Sequence, residues 1–69
     1  MITVFSQPTC GQCRAVKMLL KQKGIEYVAV EDIEKMKSLG ISHTPAILIP
    51  TGEILTGPKI IEWIRNYGN

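Results

Sequence analysis

Two cysteines, Cys10 and Cys13, stand where an extended apolar run stops and a helical period starts. Ahead of them Ile2-Thr3-Val4-Phe5 reads as a strand, and behind them Val16, Leu19 and Leu20 fall at helical spacing. The stretch from Ser6 to Thr9 reads as a turn, restricted by Pro8. A helix opening on a thiol is a strong constraint. The first amides of a helix lack intrahelical partners and carry the positive end of its dipole. A thiolate held there is stabilised and can attack at neutral pH. Cys10 is therefore the expected nucleophile. Cys13, one turn into the helix, is expected to be the more buried and to resolve the mixed disulfide that Cys10 forms.

Three uses of such a pair are open from the residues: redox exchange, metal ligation and a structural staple. The staple is the weakest, since closing a loop of four residues contributes only about 2 kcal/mol before ring strain. A zinc site would find only Cys10, Cys13 and the single His43, short of the usual four ligands. An iron-sulfur cluster would need a second copy of the chain or an external thiol. Redox exchange is the expected use for a Cys-x-x-Cys beside a strand-helix-strand pattern. His43 itself is expected to be a loop residue at the rim of the site.

The rest of the chain supplies that pattern. The first helix is expected from Cys10 or Gly11 to about Lys23, with Gly24 ending it and Lys21 and Lys23 in its last turn. Tyr27-Val28-Ala29-Val30 is the second strand, which makes a βαβ unit with a right-handed crossover. Glu31–Leu39 is a short helix with Asp32 as N-cap and Ile33 and Met36 on one face. Gly40 ends it. Ala46–Ile49 and Ile54–Thr56 form a hairpin around Pro50-Thr51-Gly52-Glu53, with Gly52 at a positive φ. Pro58 opens a last helix in which Ile60, Ile61, Ile64 and Tyr67 share a broad face, with Trp63 beside it. Val4, Phe5, Ile47 and Ile49 are core positions. The first strand, apolar on both faces, is expected to be central and covered by helices on both sides.

At 69 residues the chain has room for one domain, residues 1–69, which buries roughly 60% of its unfolded surface. A net charge of +2, with lysines spread along the helices, gives no stripe for nucleic acid. No apolar run approaches the roughly 20 residues that span a bilayer. The start Met1-Ile2-Thr3-Val4 carries no basic region or cleavable apolar segment, so a cytoplasmic protein without a membrane partner is expected.

The order βαβ-α-ββ-α resembles the thioredoxin fold in its glutaredoxin-sized form, an α/β fold with a four-stranded mixed sheet and helices on both faces. The resemblance covers essentially the whole chain. It rests on Phe5-Ser6-x-Pro8-x-Cys10-x-x-Cys13, on Thr44-Pro45 ahead of an apolar strand, and on Gly57 after the hairpin. Within that superfamily the chain is most similar to glutaredoxin-like redoxins of the NrdH type. Glutaredoxins proper usually place a basic residue near Gln7 and a Gly-Gly-x-Asp stretch where this chain has Thr56-Gly57-Pro58-Lys59. The C-terminal Trp-Ser-Gly-Phe-Arg-Pro stretch usual in NrdH proteins is absent.

The resemblance implies a dithiol-disulfide oxidoreductase without a bound cofactor or metal. It would act as a monomer, pass two electrons to protein disulfides such as that of ribonucleotide reductase, and be reduced by thioredoxin reductase. Reduction by glutathione is the alternative donor. Catalysis is assigned to Cys10 and Cys13, and substrate contact to Gly11, Gln12, Thr44, Pro45 and Gly57. The Thr44–Pro45 bond is expected to be cis and to place the Thr44 backbone for strand-like pairing with a substrate. No acidic residue occupies the first strand where thioredoxins carry a buried Asp, so the proton acceptor for Cys13 is expected to be water or a substrate group.

Overall fold

The computed structural model describes residues 1–67. Its elements follow the expected order: β1 (Ile2–Phe5), α1 (Gly11–Gln22), β2 (Tyr27–Val30), α2 (Ile33–Ser38), β3 (Ala46–Leu48), β4 (Ile54–Thr56) and α3 (Pro58–Arg65). The strands form one mixed sheet in the order β2-β1-β3-β4. β1 is central, parallel to β2 with Val4 opposite Ala29, and antiparallel to β3 with Val4 opposite Ile47. β3 and β4 close the hairpin with Ile47 opposite Leu55.

Alternation along the strands divides the interior into two layers. Ile2, Val4, Ile47 and Leu55 face α1 and α3, where they meet Val16, Leu20, Ile60 and Ile64. Phe5 and Ala46 face the other way and meet Met36 of α2 and Ile41. Helices thus cover both faces, but unequally, because α2 is one and a half turns long and buries only Met36. Where α1 and α3 end, the Lys23 ammonium donates to the Arg65 carbonyl at 3.3 Å, a cation at a helix C-terminus.

The helix boundaries have local causes. Asp32 caps α2, its carboxylate accepting from the amides of Glu34 and Lys35 at 3.0 and 3.3 Å. Pro58 stands at the start of α3, where a missing N–H costs nothing. The turn at Gly52 has the positive φ the hairpin needs.

Four expectations are corrected. Ser6 is not part of the turn: its amide still donates to Val30 O at 3.0 Å, and the residue is fully buried. The second helix is shorter at both ends than Glu31–Leu39, and Ile33 is 53% exposed because so short a helix presents a single inward position. β3 ends at Leu48, although Ile49 stays buried and its amide bonds Glu53 O across the hairpin. Tyr67 lies beyond α3 and is 47% exposed, its ring tilted against Trp63 with centroids 5.2 Å apart. Apart from these, a Cβ at Gly11 would meet nothing within 4 Å, so packing within this chain does not demand a small residue there.

Candidate active site

The site is assembled by the two ends of β1's neighbours: the start of α1 on one side and the loop before β3 on the other. Cys10 is the N-cap of α1, with extended backbone, and its carbonyl begins the helical ladder by accepting from Arg14 N. Its amide donates to Gln7 O at 3.1 Å, which fixes the turn that delivers it. Its sulfur does the work usually given to a Ser or Asp side chain and accepts from the Cys13 amide at 3.1 Å. The first turn of α1 holds no acidic side chain to compete for that position.

Cys10 and Cys13 are joined by a disulfide, with Cα atoms 5.3 Å apart. Their surroundings differ as the sequence leads one to expect. Cys10 is partly open to solvent, whereas Cys13 is 1% exposed on the inner face of α1, below Val16 and Leu20. An attacking sulfur must be reachable and a resolving sulfur need reach only its neighbour, so this asymmetry suits exchange. Arg14 is exposed and Lys17 partly exposed on the outer side of the helix.

The Thr44–Pro45 peptide is cis. Pro45 is buried, and Thr44 lies just outside β3, half-buried. Between this loop, α1 and α3 runs a groove of about 590 Å³. Gln12, Thr44, Pro45 and Gly57, four of the residues expected to touch substrate, line it together. Gly11 does not. The sequence reading missed Ala15, Pro58 and Ile61 on the same wall, because no periodicity links residues from a helix, a hairpin end and a second helix. The lining contains no Asp, Glu, Lys or Arg. His43 lines this groove and also a second one of about 470 Å³ on the far side of the loop, together with Gln7, Met36 and Lys37.

Gly57 ends β4 with φ 60° and ψ −141°, a conformation that side chains rarely adopt. It turns the chain from the groove's edge directly into α3, whose Ile61 faces the groove while Ile60 enters the core. Among the described residues, no three or more His, Cys, Asp or Glu side chains gather where they could hold a metal ion. Nor is any described helix long and apolar enough to cross a membrane.

Ser6 is the other residue that sequence reasoning missed. It is the one polar side chain buried among the described residues, and its hydroxyl has no hydrogen-bond partner. The available signal was its place directly after an apolar strand, one step beyond Phe5 in the alternation.

Comparison with known proteins agrees with this architecture. The thioredoxin-like protein BC3987 has a crystal structure that superposes with a TM-score of 0.76, at 26% identity over 94% of this chain and 97% of that one. A single-residue variant of it gives 0.73, at 26% identity over 96% and 100%. An uncharacterised glutaredoxin-like 8.6 kDa protein in the rubredoxin operon of Clostridium pasteurianum is 33% identical over 63 residues, 83% of this chain and 84% of that protein. The family model for glutaredoxin matches residues 2–54, which take in the cysteine pair, the cis-proline loop and the start of β4. Family and cysteine pair together support thiol-disulfide oxidoreductase activity. With a thioredoxin-like fold and a family match over most of its length, the chain belongs to the glutaredoxin family.

Proposed function

We propose that this protein is a cytoplasmic redoxin of the NrdH type, which carries two electrons from thioredoxin reductase to protein disulfides, with ribonucleotide reductase as a candidate acceptor. The observation that carries the reading is the uncharged groove beside the cysteine pair, walled by Ala15, Val16, Pro45, Pro58 and Ile61. Glutathione brings two carboxylates, and burying an unpaired carboxylate is costly. A peptide segment with apolar side chains needs no such partner.

In the proposed cycle the reduced Cys10 thiolate attacks one sulfur of the substrate disulfide. A bond forms between Cys10 and that sulfur, and the other substrate sulfur leaves as a thiolate and takes a proton from water. Cys13, deprotonated in turn, attacks Cys10, which closes the internal disulfide and releases the second substrate thiol. Thr44 and Pro45 hold the substrate backbone alongside the loop by strand-like pairing, and Gln12 and Gly57 border its path. Two electrons from a reductase then reopen the pair.

Membership of the glutaredoxin family favours a second reading, reduction by glutathione. One experiment separates them: NADPH oxidation with a disulfide substrate, driven in parallel by thioredoxin reductase or by glutathione with glutathione reductase. Turnover with thioredoxin reductase alone is the expected result. Turnover with glutathione alone would replace this reading by the second, and turnover with neither would remove both.

A further inference from the structure

A hydroxyl sealed from water without a partner costs roughly 1–3 kcal/mol, so a fold this small is not expected to keep one idle. Ser6 is such a group, at 0% exposure, while the disulfide is closed. Its position follows from the strand it extends. Val4 packs on the α1 side of the sheet with Val16 and Leu20, and Phe5 packs on the α2 side. The amide of Ser6 bonds Val30 O, so the strand conformation persists through it and its side chain returns to the α1 side. Along α1, Cys13 lies one turn before Val16 on the same inner face. Because β1 and β2 are parallel, the crossover helix runs back against β1. The layer that holds both Val4 and Val16 therefore continues, toward the active-site end, with Ser6 after β1 and Cys13 on α1.

We propose that Ser6 is a redox-dependent partner of Cys13: its hydroxyl is unpaired beside the disulfide and bonds the Cys13 sulfur once the disulfide is reduced. A disulfide sulfur is a poor acceptor. A thiolate is a good one, and a thiol can itself donate to the hydroxyl, so either reduced form of Cys13 satisfies Ser6. In the reducing half-reaction a dithiol gives up two electrons and two protons and becomes a disulfide. The Cys10–Cys13 bond breaks, and the two sulfurs receive those electrons and protons. Ser6 exchanges neither. It stabilises the product of the step and so raises the reduction potential of the pair. It also holds Cys13 at hydrogen-bonding distance for the resolving attack, a task for which the first strand offers no carboxylate.

The inference rests on Cys10 and Cys13 cycling between dithiol and disulfide, and its test keeps the two claims apart. The wild-type protein, Ser6→Ala and Ser6→Thr are equilibrated in dithiothreitol buffers of graded redox ratio, and free thiols are counted by alkylation and mass. Ser6→Ala is expected to need about a tenfold higher ratio of reduced to oxidised dithiothreitol for half reduction, equivalent to about 30 mV for a two-electron couple. Ser6→Thr, which keeps the hydroxyl, is expected to stay near the wild-type ratio. Thermal melts of both redox forms supply a second readout: Ser6→Ala should lower the melting temperature of the reduced form but not that of the disulfide form. A merely structural Ser6 would change both forms alike. Unchanged half reduction in Ser6→Ala, or equal losses in the two melts, overturns the role of Ser6 alone. A wild-type pair that does not open at any ratio overturns the redox reading as well.

Discussion

The amide of Cys13 donates to the sulfur of Cys10 at 3.1 Å, so the backbone of the buried cysteine caps the partly exposed one. This is a helix N-cap made with sulfur, and it stabilises negative charge on Cys10 through both the hydrogen bond and the helix dipole. Once the disulfide is open, the stabilised and reachable sulfur is that of Cys10, while Cys13 stays buried. Reduced protein treated with limiting iodoacetamide at neutral pH should be alkylated at Cys10 first, as mapped by peptide mass. Preferential labelling of Cys13 would reverse the assignment.

The same asymmetry separates the two cysteines in turnover. Cys13→Ser should accumulate a mixed disulfide with substrate through Cys10, visible as an added mass that a reductant removes. Cys10→Ser should trap nothing and lose activity completely, since the remaining sulfur is 1% exposed. A trapped adduct in Cys10→Ser would show that Cys13 can be reached from outside.

The uncharged groove makes a prediction about specificity. Ile61 is half-buried on its wall and is not among the fully buried core of α3. Ile61→Glu places a carboxylate where an apolar substrate side chain would sit. It should raise KM for a protein disulfide about tenfold, within the roughly 1–3 kcal/mol cost of a polar group facing an apolar one. Its kcat should hold, and reduction by dithiothreitol, which has no flanking side chains, should be unaltered. An equal loss with the protein disulfide and with dithiothreitol would mean that the substitution damaged the fold.

Two glycines of the site should respond in opposite ways. Gly57 has φ 60° and ψ −141°, and an alanine there is strained even though the space around it is open. Gly57→Ala should cost about 1–3 kcal/mol and shift the start of α3 with the groove edge it carries. Gly11 begins α1 with open space around it. Gly11→Ala should stabilise the helix by up to about 1 kcal/mol, measured by urea denaturation of the two variants beside wild type.

How much of this was legible in the sequence depended on how local the cause was. β1, α1 and β2 were readable because a short apolar run, a helical period and Gly24 each act within a few residues. The hairpin was readable from Gly52, and α2 from Asp32. Ile33 and Tyr67 were misplaced because apolar character alone does not say whether a short helix, or the turn after one, has anything to pack against. Ser6 reads as turn only as part of the stretch to Thr9 that Pro8 restricts. Its actual state is set by the Val30 carbonyl on a strand 24 positions away. The cis Thr44–Pro45 bond came from resemblance, as nothing in the residues themselves demands it. The groove was half visible: Gln12, Thr44, Pro45 and Gly57 came from motif, while Ala15, Pro58 and Ile61 joined only through tertiary packing.

The thinner layer of the fold should be its weak point, and Asp32 tests this. The α2 layer is anchored by Met36, which meets Phe5, Ile41 and Ala46, the last of these directly after the cis-proline loop. α2 has only six residues, too few to be stable by itself, so its cap and this one anchor decide whether it forms. Asp32→Ala removes the acceptor for the amides of Glu34 and Lys35 and should cost about 1 kcal/mol. The loss should be local. Amides of α2 should exchange with deuterium faster, while those of α1 keep their protection because its core lies on the other face. Met36→Ala should cost more, about 2–5 kcal/mol, since it also opens a cavity against Phe5. Uniformly faster exchange throughout the chain after Asp32→Ala would mean that the two layers unfold as one unit, and α2 would then be as integral to the fold as the helices opposite.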